Sequence, residues 1–352
     1  MRHADTPARA RVRIGATVRA LLALLVIALV VASGGWLWLS RTRTAYPGSH
    51  FNRGENAVWL EHTWAGDAHS AAQVDQLAAQ LEREQVRFVY LHVGPLDSHG
   101  NIPVERYAYA QSFVASLKQR DVGVAVLAWI GQLERASGLP PDQTVDLTSA
   151  DTREAIATTA THFVSALGFD GVHYDIEPMI NNSPHFLDLL DATRAALPPG
   201  AMLSISAPMW APNAHIAEWL RAGLDKGASL WTTYYYATVA KHVDQIVVMM
   251  YNTAIPSGNL YGLFVKQETS HILSAVRSAH SPPQVLIALP TYHDNGFWFH
   301  DFAENLDTGL SGVVAGLNSD RDTRPFVGVA LYRYGTTSAA DWHSYERLWL
   351  GG

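Results

Sequence analysis

Beyond residue 56 the hydrophobic pattern switches period repeatedly: short apolar runs give way to stretches in which apolar residues recur every three or four positions. The runs predict eight β-strands. They are Ala57–His62, Val86–Val93, Val122–Trp129, a fourth inside Gly168–Pro178, then Met202–Pro208, Val243–Tyr251, Gln284–Pro290 and Phe326–Arg333. Between them the spacing predicts helices. Ser70-Ala71-Ala72-Gln73 reads as a capping box, with Val74, Leu77 and Leu81 on one face behind it. A second helix is expected at Glu105–Gln119. Asp151-Thr152-Arg153-Glu154 is expected to cap a third, with Ile156, Ala160, Phe163 and Leu167 on its buried side and Gly168 ending it. Ser183-Pro184 opens a fourth whose apolar face is Phe186, Leu189, Leu190 and Leu197. Further helical patterns occupy Ile216–Ala222, Phe264–Ala279, Asp301–Leu317 and Ala339–Leu350, while Trp231–Tyr236 fits neither period.

Eight strands alternating with helices over about 290 residues predict an α/β chain, a (β/α)8 barrel across residues 57–350. Near-continuous apolar strands agree, because parallel strands are covered on both faces. The competing architecture is a doubly wound open sheet, but no Gly-rich phosphate loop follows the first strand.

The N-terminus has another character. Arg2, Arg9, Arg11, Arg13 and Arg19 precede an apolar run, Ala20 to Leu39, and Arg41 and Arg43 follow it. Twenty residues at about 1.5 Å each span roughly 30 Å, the thickness of a bilayer core. The expectation is one transmembrane helix before the barrel. Residues 1–19 would then be a basic cytoplasmic segment, 20–39 a signal anchor with Trp36 and Trp38 at the interface, and 40–56 a linker. The barrel domain would lie outside the cytoplasm. A cleaved signal peptide ending near Ala32-Ser33-Gly34 is the alternative, and the length of the run and its closing arginines speak for the anchor.

Charge narrows the partners. Of 25 Lys and Arg and 32 Asp and Glu, seven and one lie in residues 1–43, leaving 18 against 31 and a net charge of −13. Such a domain has no electrostatic reason to bind nucleic acid. With no cysteine, disulfides, thiolate metal sites and a Cys nucleophile are excluded. No cofactor or metal is expected.

The fourth strand carries the chemistry. In Gly168-Phe169-Asp170-Gly171-Val172-His173-Tyr174-Asp175-Ile176-Glu177-Pro178, alternation puts His173, Asp175 and Glu177 on one face and Val172, Tyr174 and Ile176 on the other. Two carboxylates backed by an apolar face are costly unless they border a solvated or ligand-filled cavity. Convergence of His173, Asp175 and Glu177 on a metal is disfavoured, since their Cα atoms spread over roughly 13 Å along a strand. At barrel strand ends other polar and aromatic residues gather: Glu61, His62, Trp129, Trp210, Tyr251, Asn252, Tyr292 and Tyr332. Aromatic rings around paired carboxylates suit a sugar.

These residues resemble a family. Asp170-Gly171 followed by Asp175 and Glu177 at alternate positions is similar to the signature of family 18 glycoside hydrolases, the chitinase-like (β/α)8 enzymes. Val243 to Asn252 resembles that family's sixth strand, Val89 to Ile102 its second strand and loop, and Leu289-Pro290-Thr291-Tyr292 its seventh. The resemblance implies hydrolysis of a β-linked N-acetylhexosamine glycan by substrate-assisted retention, in which the substrate's acetamide replaces the enzyme nucleophile. It implies that Glu177 is the general acid and base, that Asp175 holds the acetamide N–H, that Tyr251 bonds the acetamide oxygen, and that Asp170 supports them. Asn252, Trp129, Trp210, Tyr292, Tyr332 and Glu61 are the expected substrate contacts.

Four places depart from the pattern, one of them strand three, where Ala128-Trp129-Ile130-Gly131 replaces the family's Ser-x-Gly-Gly. His173 replaces the middle Asp and is expected to hydrogen-bond Asp175, Asn252 replaces an Asp, and Tyr332 stands where the family has a Trp. Two functions follow as expectations: a membrane-anchored glycoside hydrolase, or a catalytically inactive glycan-binding or scaffold protein on the same barrel. Retention of both Asp175 and Glu177 favours the enzyme.

Overall fold

The computed structural model describes residues 47–223, 229–279 and 281–351. Eight parallel strands close into a barrel: β1 (Asn56–Leu60), β2 (Val86–His92), β3 (Ala125–Leu133), β4 (Gly171–Glu177), β5 (Met202–Ala207), β6 (Gln245–Met249), β7 (Gln284–Pro290) and β8 (Phe326–Tyr332). Each pairs with its sequence neighbours, and β8 meets β1 with Ala57 beside Ala330. The helices that cover this cylinder are α1 (Ala71–Arg83), α2 (Ala110–Lys118), α3 (Ala150–Ser165), α4 (Pro184–Ala196), α5 (Ala214–Gly223), α6 (Thr233–Val239), α7 (Gly258–Val276), α8 (Leu306–Ser319) and α9 (Ala339–Tyr345).

The architecture expected from the sequence needs one correction. Among the described residues no helix is long and apolar enough to cross a membrane. No transmembrane helix belongs to the described structure, and the apolar run 20–39 that prompted it lies outside the described residues.

Alternation along each strand produces two apolar layers. Ala57, Trp59, Phe88, Tyr90, Leu127, Val247, Leu286, Ala288 and Ala330 point inward and fill the barrel. Their neighbours, such as Val58, Val89, Val172, Tyr174 and Ile176, point outward and pack under the helices. Gly171 is where β4 passes closest to β5: a Cβ there would lie 2.2 Å from the carbonyl oxygen of Met202.

The Ser70 capping box and the Ser183 cap form as expected, Ser183 accepting from the Phe186 N–H. α3 differs. Its cap is Ser149, which accepts from the Thr152 N–H, and Asp151 sits inside the first turn, where its charge meets the helix dipole. β3 runs four residues further than its pattern ends, because it pairs with β4 as far as Leu133 beside Glu177. The ambiguous Trp231–Tyr236 stretch is both things in turn. Trp231 and Thr232 pair with Trp210 and Ala211, and Thr232 then caps α6.

Candidate active site

β4 delivers its three ionisable residues to the barrel interior as alternation requires, and their surroundings differ with depth. His173 lies deepest and is fully buried, its ring stacked on Tyr90 at 3.9 Å between centroids. Nδ1 is 2.8 Å from the Ser204 hydroxyl and Nε2 is 3.0 Å from that of Ser206. Ser204 in turn donates to Gln245 Oε1 at 2.7 Å, as does the Tyr90 hydroxyl. Since a hydroxyl has one hydrogen and Ser204 gives its own to Gln245, Nδ1–H donates to Ser204, which leaves Nε2 of the neutral ring as an acceptor that shares the single Ser206 hydrogen with Asp175. Burial pushes the imidazole down to about 3, so the ring stays neutral. The expected bond from His173 to Asp175 is therefore absent. The ring's two nitrogens are occupied by β5, and its influence on Asp175 runs through Ser206.

One step toward the strand ends, Asp175 Oδ2 accepts the indole N–H of Trp129 at 2.9 Å, while Oδ1 has no partner. Burial raises its pKa, opposed by the Ser206 hydroxyl and the Trp129 indole. Glu177, at the end of β4, is raised to about 8, first by burial and then by the charge of Asp175. A carboxyl with that pKa is mostly protonated at neutral pH. Side by side, the two groups are a proton donor and a hydrogen-bond acceptor facing the same space.

Tyrosines close the other side. Tyr251 stacks on Tyr332 at 4.9 Å, and Tyr332 stands edge-on to Trp59 at 5.4 Å. Burial lifts the Tyr251 phenol well above its usual value, and Tyr332, Asp175 and Glu177 add to that; Tyr332 is raised to about 12. Both stay protonated donors. Tyr292 donates to Asn252 Oδ1 at 2.8 Å and lies 6.0 Å from Tyr332. Asn252 has φ +58°, a left-handed conformation that Asn tolerates better than most residues. The structure thus assembles Asp175, Glu177, Tyr251, Tyr332, Tyr292, Asn252 and Trp129 at one end of the barrel.

Three expected site residues have other employment. Asp170 precedes β4 at the opposite end of the barrel, roughly 23 Å of strand away from Glu177. Its carboxylate takes Lys118 Nζ at 2.6 Å and the Val126 N–H at 2.8 Å, so it clamps α2 and β3 and touches nothing at the site. Trp210 lies flat on His271 at 3.9 Å and donates its indole N–H to Thr233. Glu61 accepts the Gly335 N–H at 2.6 Å and faces Arg333 at 3.9 Å, which ties the end of β1 to the turn after β8.

Two features escaped the sequence reading. Ser204 and Ser206 alternate on β5 inside an otherwise apolar run, a period-two polar signal that was legible. Glu304 had no such signal. It is buried, accepts the Thr253 N–H at 3.1 Å and is raised to about 7 by burial, and it anchors the segment that carries Asn252. Among the described residues no group of three or more His, Asp or Glu could hold a metal ion.

The model of glycosyl hydrolases family 18 matches residues 70–300, about two thirds of the chain. Among solved structures, the spore cortex-lytic enzyme SleL of Bacillus cereus is similar over 88% of this chain and 76% of its own, with a TM-score of 0.57 at 12% identity. The group IV chitinase of Ostrinia furnacalis aligns over 85% of this chain and 100% of its own, with a TM-score of 0.54 at 14% identity. A chitinase from Bacteroides thetaiotaomicron covers 82% and 93%, with a TM-score of 0.51 at 12% identity. At these identities the likenesses concern the fold. No curated protein matches the sequence.

Proposed function

Because the chain belongs to glycosyl hydrolases family 18 and is a glycoside hydrolase, we propose that it cleaves a β-linked N-acetylhexosamine glycan by substrate-assisted retention. The observation that carries this reading is the Asp175–Glu177 pair, set at the barrel's strand-end opening with one carboxyl held near pKa 8. Glu177 protonates the leaving oxygen and, once deprotonated, activates the incoming water. Asp175, fixed through Oδ2 by Trp129, uses its unpaired Oδ1 for the acetamide N–H and steadies the positive charge that develops there. The Tyr251 hydroxyl bonds the acetamide oxygen and aims it at the anomeric carbon. Tyr332, edge-on to Trp59, forms the apolar floor under the sugar ring.

The test is hydrolysis of N-acetylglucosamine oligomers by the full chain and by Glu177→Gln, which keeps the shape and removes the proton. Turnover is expected to fall by at least about a hundredfold, the scale of general acid catalysis, with the oligomer still bound. Equal turnover by the two proteins removes Glu177 from its role. Binding without turnover by the parent chain supports the inactive glycan-binding protein instead.

A further inference from the structure

The rim of the barrel is unevenly charged. β4 contributes the carboxyl pair, whereas β8, β1 and β2, consecutive in the sheet, all end in basic groups. Arg333 follows β8, His62 stands two residues past β1, and His92 ends β2. Arg106 comes from the turn Val104–Tyr107 after β2. Their neighbourhood is close. The His62 and His92 rings are 5.6 Å apart, and the Arg106 backbone and His62 Nε2 both approach the same side of Gly66 within 3.3 Å of a Cβ placed there. His92 packs 4.4 Å from Trp129, the residue whose other edge holds Asp175. Trp129 therefore stands between His92 and Asp175.

The basic groups are incompletely neutralised. Glu61 lies 3.9 Å from Arg333 but gives its short hydrogen bond to the Gly335 N–H. The Arg106 guanidinium pairs with no carboxylate among the described residues. His62 Nδ1 is buried without a partner. His92 is pushed down to about 4, by burial first and then by His62, Arg106 and Arg333, so it is a neutral hydrogen-bonding group near the two arginines. In a domain with a surplus of 13 acidic groups beyond residue 43, Arg106 and Arg333, both near enough to His92 to act on its ring, give that arc a positive character that draws an anion.

We infer that the arc formed by Arg106, Arg333, His62 and His92 binds a carboxylate carried by the glycan, on a sugar adjoining the one held by Asp175. This rests on the proposed N-acetylhexosaminidase reading and narrows it to acidic glycans. The planar guanidinium fork fits a carboxylate with two parallel hydrogen bonds. The carboxylate has two chemical sources: the lactyl ether of a muramic-type hexosamine, or a hexuronic acid.

The experiment measures binding by calorimetry to the full chain carrying Glu177→Gln. The ligands are a tetrasaccharide alternating N-acetylglucosamine with N-acetylmuramic acid, the same molecule with its carboxyls amidated, an N-acetylglucosamine–glucuronic acid tetrasaccharide, and neutral chitotetraose. At least one carboxylated ligand is expected to bind about tenfold or more tightly than the uncharged ones, a difference of about 1.4 kcal/mol. The preferred acid identifies the source. Adding Arg106→Gln and Arg333→Gln, singly and together, is expected to shrink that preference toward unity without lowering the melting temperature. Equal affinity for amidated and carboxylated ligands overturns the inference, as does a preference that survives both arginine substitutions. Failure to bind any of the four, chitotetraose included, removes the N-acetylhexosamine reading itself and this inference with it.

Discussion

Trp129→Phe separates the two carboxyls more cleanly than a substitution of either. The indole N–H donates to Asp175 Oδ2 at 2.9 Å, and of the two groups that favour the carboxylate, this one and the Ser206 hydroxyl, it is the one that a conservative ring substitution removes. A hydrogen bond to a charged group contributes about 1.5–3 kcal/mol, and about 1.4 kcal/mol corresponds to one pKa unit. Losing it destabilises the carboxylate and raises the Asp175 pKa, already lifted by burial, still further. Phenylalanine keeps most of the ring volume against His92 and Tyr332. In the proposed mechanism Asp175 must be ionised and Glu177 protonated. The acid limb of the kcat/KM profile should move up by about one to two pH units. The alkaline limb belongs to Glu177, near 8, and the charge of Asp175 is one of the causes that hold it there, so it should stay or fall and the plateau should narrow. The assay is a pH series of kcat/KM on an N-acetylglucosamine oligomer for both proteins. A uniform loss of activity with both limbs in place would refute the role given to this hydrogen bond.

Three further outcomes are expected. Glu268 is buried, accepts the Trp210 N–H at 2.6 Å and is raised to about 8 by burial. Its folded pKa lies above its unfolded value, so it adds stability that is present below about pH 4.5 and is lost as pH rises to about 8. Glu268→Gln should therefore raise the melting temperature at pH 8.5 relative to the parent and change it little at pH 4.5; parallel curves would contradict this. Asp170→Ala removes the Lys118 ion pair and the acceptor for the Val126 N–H. It should cost about 1–2 kcal/mol in urea unfolding and leave kcat within about twofold, whereas a large fall in kcat at unchanged stability would return Asp170 to the site. His173→Leu removes the two ring nitrogens that the buried Ser204 and Ser206 hydroxyls face. Losing both hydrogen bonds should lower stability by about 1–3 kcal/mol, measured as a shift in the urea midpoint at constant slope.

How much of this was legible is clearest on β4. The two-residue period of a strand is a local property, so the sequence alone put His173, Asp175 and Glu177 on one face, as they are in the barrel. The strand and helix alternation that closes a barrel was equally local, as was the Ser183 cap, which needs only its own first turn. Partners across strands are a different matter. They depend on register between segments far apart in the chain, such as His173 beside Ser204 and Trp129 beside His173. No pattern along the chain records that register. For that reason the bond from the Trp129 N–H to Asp175 left no trace in the sequence, and His173, expected to bond Asp175, has both its nitrogens on β5. Asp170 shows the same limit from the other direction. Its motif was read correctly, but the strand that follows it carries it to the far end of the barrel, where Lys118 waits. Sequence determined which side chains share a face; only the closed barrel decided which of them meet.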